Sequence, residues 1–75
     1  MSLKKDLAKE ISILEKEMRE IESKRTRSMA ALVEALVSKH EPEEREMQFF
    51  RQYSAEIEVK REELVKLTKQ LKNEL

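Results

Sequence analysis

The chain has 75 residues, with 16 basic and 16 acidic side chains, so its formal net charge is zero. A chain of this length forms at most one small domain, residues 1–75, and buries too little apolar surface to be very stable without a staple or a partner. There is no cysteine, which excludes disulfides, thiol catalysis and cysteine-ligated metals. A balanced charge also provides no strong overall field toward nucleic acids or anionic membranes.

The N-terminal stretch and the longest apolar run indicate whether the chain is expected to be secreted or to span a membrane. The first residues lack the apolar core of a secretory signal. The longest nearly unbroken apolar run, Met29–Val37, has nine residues, which is well short of a membrane span. We therefore expect a cytoplasmic protein with no membrane partner.

The composition predicts the fold class. Charged residues make up 43% of the chain, and there is no glycine and a single proline. Sheets need turns, and turns usually need glycine, asparagine or proline. Abundant Glu, Lys, Leu and Ala favour helix, and this composition is typical of long helices and coiled coils. The sequence predicts an all-α protein.

Apolar residues follow a coiled-coil spacing in both halves of the chain, with alternating steps of four and three. The predicted seam of the first half continues through Arg25 to Met29 with two consecutive steps of four, which would locally unwind a left-handed supercoil. The predicted seam positions are Leu7, Ile11, Leu14, Met18, Ile21, Arg25, Met29, Leu32 and Leu36, and then Phe50, Tyr53, Ile57, Lys60, Leu64, Leu67 and Leu71.

A polar segment around Pro42 separates the two halves. Proline is favoured at the first position of a helix and costs about 3 kcal/mol inside one. The predicted elements are a helix over about 3–39, a turn over about 40–42 and a helix over about 42–75. Folding back there pairs residues whose numbers add up to about 82: Leu7 with Leu75, Ile11 with Leu71, Leu14 with Leu67, Met18 with Leu64, Met29 with Tyr53, Leu32 with Phe50 and Leu36 with Met47.

This pairing favours an antiparallel helical hairpin, whose arms would be roughly 50 Å long. The alternative is one continuous helix bent at Pro42, which would pair with a second copy in a parallel coiled coil. That helix would have to carry a polar segment and an interior proline through its middle.

The half of the hairpin near the turn carries more apolar surface than one neighbouring helix can cover, since a helix with one partner needs a stripe of only about 100°. We interpret the excess as an interaction patch. Its members are Met29, Ala30, Leu32, Val33, Leu36, Val37, Met47, Phe49, Phe50 and Tyr53. Two hairpins that bury this patch against each other would form a four-helix bundle, so we expect a homodimer.

Two other groups of residues suggest specific roles. Arg25 and Lys60 fall on the predicted seam, where they either extend their charged ends to water or set the register between helices. A basic belt across the waist of the hairpin is a candidate for binding nucleic acid, and its members are Lys24, Arg25, Arg27, Lys60 and Arg61. Interleaved glutamates and the absence of an aromatic residue for stacking bases argue against that use.

No set of residues predicts catalysis or a metal centre. His40 is the only histidine, and position 37 is valine, so the Glu-x-x-His motif of helical-bundle metal sites is absent. We expect no enzyme activity, no catalytic residues and no cofactor. The sequence favours a structural or adaptor module that self-associates. The alternatives are a chaperone-like binder of a partner's amphipathic helix and a nucleic-acid binder that uses the belt.

Overall fold

The computed structural model describes residues 2–75, so Met1 of the expected domain lies outside the described residues. It contains two α-helices, α1 (Leu3–Val37) and α2 (Glu44–Asn73), which pack against each other along their length. The molecule measures 56 × 16 × 15 Å. A continuous helix of the same chain would be roughly 110 Å long at 1.5 Å per residue. The chain therefore folds back on itself, which confirms the predicted all-α hairpin.

The core of the hairpin is small. The buried apolar side chains are those of Leu7, Leu14, Met18 and Ile57, and Ile57 is the most enclosed, at 1% exposure. Leu14, Met18 and Ile57 form one cluster, against which the half-buried Ile21, Leu64 and Leu67 pack. The pattern of the α2 seam is confirmed, since all of its predicted members from Phe50 to Leu71 are buried or half-buried.

The α1 seam departs from the prediction beyond Arg25. It continues with the regular three-four spacing through Ser28, which is buried, and through the half-buried Leu32 and Ala35. Met29 and Leu36 instead lie beside the seam and are 47% and 65% exposed. The predicted double step of four and the pairings that used Met29 and Leu36 are therefore wrong. The pairing of Leu7 with Leu75 fails too, because Leu75 lies beyond α2 and is 81% exposed.

The size of the facing side chains explains this choice of seam. Ser28 and Ala31 of α1 line the same cleft as the aromatic rings of Phe49 and Tyr53 of α2. A large ring on one helix requires a small residue on the facing helix if the two backbones are to stay at a uniform distance. Placing Met29 there would set a long side chain against a ring, so the smaller Ser28 occupies the seam.

α1 ends in a backbone motif that normally contains glycine. The His40 N–H donates to the carbonyl of Ala35 at 2.8 Å, and the Lys39 N–H donates to the carbonyl of Leu36 at 3.1 Å. These two bonds form a Schellman motif, in which the first residue after the C-cap adopts the left-handed conformation. That residue is Lys39, at φ 59°. A residue with a Cβ is disfavoured in this region, so the turn carries local strain.

Lys39→Gly is expected to stabilise the hairpin by about 0.5–1 kcal/mol, because glycine adopts the left-handed conformation without a steric cost. Urea unfolding followed by circular dichroism measures the change. Lys39→Ala is the matched control: it also removes the charge but keeps the Cβ, so it should give no comparable gain. Equal stabilisation by both variants would show that charge, and not backbone strain, is what matters at this position.

α2 begins at Glu44, two residues after the start expected near Pro42. Glu43 occupies the N-cap position with an extended backbone, at φ −65° and ψ 136°. Pro42 therefore lies outside the helix. Glu44 and Glu46 lie in the first turn, where the helix dipole favours negative charge. Within residues 2–75, neither helix has an apolar stretch long enough to cross a membrane.

Candidate functional site

The structure divides the ten residues of the predicted interaction patch into two groups. Five are half-buried in or beside the seam: Leu32, Met47, Phe49, Phe50 and Tyr53. The other five are exposed on α1: Met29, Ala30, Val33, Leu36 and Val37. The two groups are not one continuous surface, because the exposed residues and the ring of Phe49 lie on different flanks of the hairpin.

The first flank, which we call the apolar flank, consists of Met29, Val33, Leu36 and Val37. These side chains are 47%, 51%, 65% and 77% exposed. Their spacing of four, three and one brings them to one side of α1, over rather more than two helical turns. Glu34 is the only charged residue of this stretch, and it lies on the other flank, where it lines a cleft with Ala31. The apolar flank itself is uncharged.

The second flank carries a cleft of about 240 Å³, which we call the aromatic–basic cleft. Its lining residues are Lys24, Arg27, Ser28, Ala31, Glu46, Phe49 and Tyr53. The rings of Phe49 and Tyr53 are stacked, with centroids 6.1 Å apart and an interplanar angle of 20°. The guanidinium of Arg45 lies 5.8 Å from the centroid of the Phe49 ring, within the range of a cation–π interaction.

Helix geometry explains why the two surfaces face different ways. The α1 seam runs through Ser28, Leu32 and Ala35. At 100° per residue, Met29 lies to one side of this line, and Ala31 lies to the opposite side. Ala31 contributes to the aromatic–basic cleft, so the apolar flank and the cleft are separated by the helix-helix seam.

The predicted basic belt is not continuous. Lys60 forms an ion pair with Glu17 at 2.7 Å, and Arg61 forms one with Glu58 at 2.9 Å. Arg25 is half-buried on the seam. The two remaining members of the belt, Lys24 and Arg27, line the aromatic–basic cleft. The belt contains no aromatic residue in the sequence, but the fold brings Lys24 and Arg27 of the belt to the same cleft as Phe49 and Tyr53.

Lys60 connects the two helices. Its ammonium group donates a hydrogen bond to Glu17 of α1 at 2.7 Å, and its side chain is 27% exposed. This hydrogen bond is the main cause that raises the pKa of Lys60 above 10.5; burial opposes it, and the negative charges of Glu17, Glu63 and Glu56 add smaller increases. The pair therefore stabilises the hairpin where both groups are charged, and its contribution is lost as the pH rises through the raised pKa of Lys60 in the folded state.

Glu17 is a residue that the sequence reasoning missed. The predicted register places Lys60 opposite Ile21, and Glu17 lies one helical turn away from Ile21. A lysine side chain is long enough to cover apolar neighbours and reach a carboxylate one turn further on. The sequence therefore contained a signal for this ion pair: a glutamate four residues before Ile21, the predicted seam partner of Lys60.

We expect Lys60→Leu to raise the thermal midpoint, because it fills the seam with an apolar side chain, and to broaden the distribution of oligomers, because polar seam residues set register at the expense of stability. Thermal melts and sedimentation velocity measure the two effects. Lys66→Leu, at an exposed position of the same helix, is the control and should change neither. A more stable assembly with an unchanged single mass would contradict a register role for Lys60.

The turn carries His40 and several carboxylates in an open cleft. Its ionisable lining residues are Glu34, His40, Glu41, Glu43 and Glu46. Among residues 2–75, no three histidine, aspartate or glutamate side chains are arranged to hold a metal ion. Comparison of the chain with protein-family models, with curated proteins and with solved structures found no match.

Proposed function

We propose that this chain is a non-enzymatic structural or adaptor module that self-associates through the apolar flank. In this proposal two hairpins pack side by side as a four-helix bundle. The observation that carries the proposal is the exposure of Met29, Val33, Leu36 and Val37, four adjacent apolar side chains on one side of α1. Contiguous exposed apolar surface on a small protein marks an interaction site.

The surface area of the hairpin supports association. The accessible surface is 6219 Å². A compact monomer of the same mass would expose about 4,900 Å² by the usual scaling, so the hairpin exposes roughly 1,300 Å² more. A standard interface buries about 800 Å² on each partner. The slender shape therefore leaves more than enough uncovered surface for a stable dimer.

The absence of charge on the apolar flank favours a second copy of the same chain as the partner. A two-fold interface brings the same patch of both subunits together, so any charge near the axis would meet its own copy. Val33 lies at the middle of the flank, and an axis there would place Met29 of one hairpin near Val37 of the other. The contact of Val33 with its own copy and the contact of Met29 with Val37 would both join uncharged side chains.

The energetics predict a reversible dimer. Burying the four partly exposed side chains contributes about 5 kcal/mol per copy, or about 10 kcal/mol for the pair. Association costs about 4–15 kcal/mol in lost freedom. At the lower end of this range the net gain is about 6 kcal/mol, which corresponds to a dissociation constant of roughly tens of micromolar, so we expect weak and reversible association.

Sedimentation equilibrium over protein concentrations from about 1 to 500 μM, a range that brackets a micromolar dissociation constant, tests the proposal. The expected result is a shift from the monomer mass of 9.0 kDa toward twice that value. A chain that stays monomeric and folded across this range would contradict self-association. The apolar flank would then fit the alternative function, the binding of an amphipathic helix from another protein.

A further inference from the structure

The aromatic–basic cleft lies on the flank opposite the proposed dimer interface, so it remains open when two hairpins associate. We propose that it binds single-stranded nucleic acid, with a base stacked on the Phe49–Tyr53 pair and the phosphates held by Lys24, Arg27 and Arg45. This inference does not depend on the proposed function, because the two surfaces share no residue.

The charges around the cleft favour an anionic ligand. Lys24 and Arg27 line it, and Arg45 lies over the outer ring of its aromatic pair. Glu46 is the only acidic residue of the lining. The two ion pairs in the described part of the chain, Lys60–Glu17 and Arg61–Glu58, leave these three cations free to bind phosphates. The lining itself therefore carries one net positive charge and Arg45 adds a second, whereas the adjoining cleft at the turn, which shares Ala31 and Glu46, is acidic.

The aromatic pair selects among anionic ligands. Single-stranded nucleic acid carries a flat base and a phosphate on every unit, and aromatic platforms beside cations are its usual binding surface. The Arg45 guanidinium already lies over the Phe49 ring, 5.8 Å from its centroid. A base can take that place while Arg45 turns to a phosphate. A double helix cannot, because its bases are stacked inside.

The aromatic pair limits what one hairpin can hold. The cleft of about 240 Å³ is open to solvent, and its single pair of rings offers one position on which a base can stack. Each hairpin therefore contributes one stacking position and about three phosphate contacts. A dimer would present two such clefts to the same strand.

The test measures binding of a fluorescein-labelled thymidine strand of about twelve nucleotides by fluorescence anisotropy, beside an abasic strand of equal length. The two strands carry the same phosphates and differ only in their bases. We expect the thymidine strand to bind about tenfold more tightly, since stacking of one base is worth roughly this factor or more. Three phosphate contacts predict a slope of about −2 for log affinity against log salt concentration.

Variants of single residues distinguish the contribution of base stacking from that of the phosphate contacts. Phe49→Leu keeps an apolar side chain and should weaken binding of the thymidine strand about tenfold, with no effect on the abasic strand. Arg27→Gln should weaken both strands and reduce the salt slope by about 0.7. Lys72→Gln, which removes a cation from the last turn of α2, is the control and should change neither. Circular dichroism checks that each variant keeps its helix content.

Several results would overturn the inference. Equal affinity for the thymidine and abasic strands would show attraction of any polyanion, and no binding of either strand up to about 1 mM would show that the cleft is not a site. An acidic peptide that displaces the strand at a similar concentration would show selection for charge alone. Loss of strand binding in a monomeric Val33→Glu variant would show that the cleft does not act independently of self-association.

Discussion

Ile57→Ala is expected to destabilise the hairpin by about 3 kcal/mol, within the range of about 2–5 kcal/mol measured for buried isoleucine. Ile57 is 1% exposed and belongs to the core cluster with Leu14 and Met18. Removing three carbon atoms there leaves a cavity between two helices that have few other buried contacts. A single small core rarely supplies more than about 3–5 kcal/mol in total, so this one change should unfold much of the protein at 37 °C.

Ile13→Ala is the matched control for Ile57→Ala. Ile13 lies within α1 but is 49% exposed, so the same chemical change removes little buried surface. The gain in helix propensity from isoleucine to alanine is the same in both variants and cancels in the comparison. Urea unfolding at a fixed protein concentration, followed by circular dichroism, should show a large loss for Ile57→Ala and almost none for Ile13→Ala. Similar losses would mean that Ile57 is not at the centre of the core.

Val33→Glu is expected to weaken self-association at least a hundredfold. Val33 lies at the centre of the apolar flank, is 51% exposed and is not part of the core cluster. In a two-fold dimer the change places a carboxylate from each hairpin in an apolar interface. Each buried unpaired charge costs several kcal/mol, and about 2.7 kcal/mol already corresponds to a hundredfold change in the dissociation constant.

The control for this experiment is Val59→Glu. Val59 is 64% exposed in the middle of α2, and its heptad position puts it on the flank opposite Val33. Both variants add one negative charge to a helix surface, so general repulsion affects them equally. Sedimentation velocity should show a monomer for Val33→Glu and unchanged association for Val59→Glu. Equal weakening by the two variants would assign the effect to net charge, and no weakening by Val33→Glu would place any interface elsewhere.

These two predictions separate folding from assembly. Ile57 lies between the helices of one hairpin, and Val33 lies on its outer surface. Ile57→Ala should lower helix content at all protein concentrations, whereas Val33→Glu should preserve helix content and alter only the mass. If Val33→Glu also unfolds the chain, the hairpin needs its partner in order to fold, as is common for small domains.

Much of the fold was readable from the order of the residues. Helix-forming residues without glycine predict long helices, and one polar segment around Pro42 predicts where they separate. The steps of four and three from Leu7 to Arg25 and from Phe50 to Leu71 predict the seam, because a helix buries residues at that spacing against a straight neighbour. Local propensity and periodicity are properties of each helix alone, so they can be read without a structure.

The position of the seam near the turn could not be read in this way. Met29 and Leu36 are as apolar as the seam residues, so periodicity alone favours them over Ser28 and Ala35. The choice depends on the rings of α2 that face this part of α1, and the fit of large against small side chains exists only when both helices are in place. The ion pair of Lys60 with Glu17, and the approach of Phe49 and Tyr53 to Lys24 and Arg27, arise from the same packing between residues far apart in the chain.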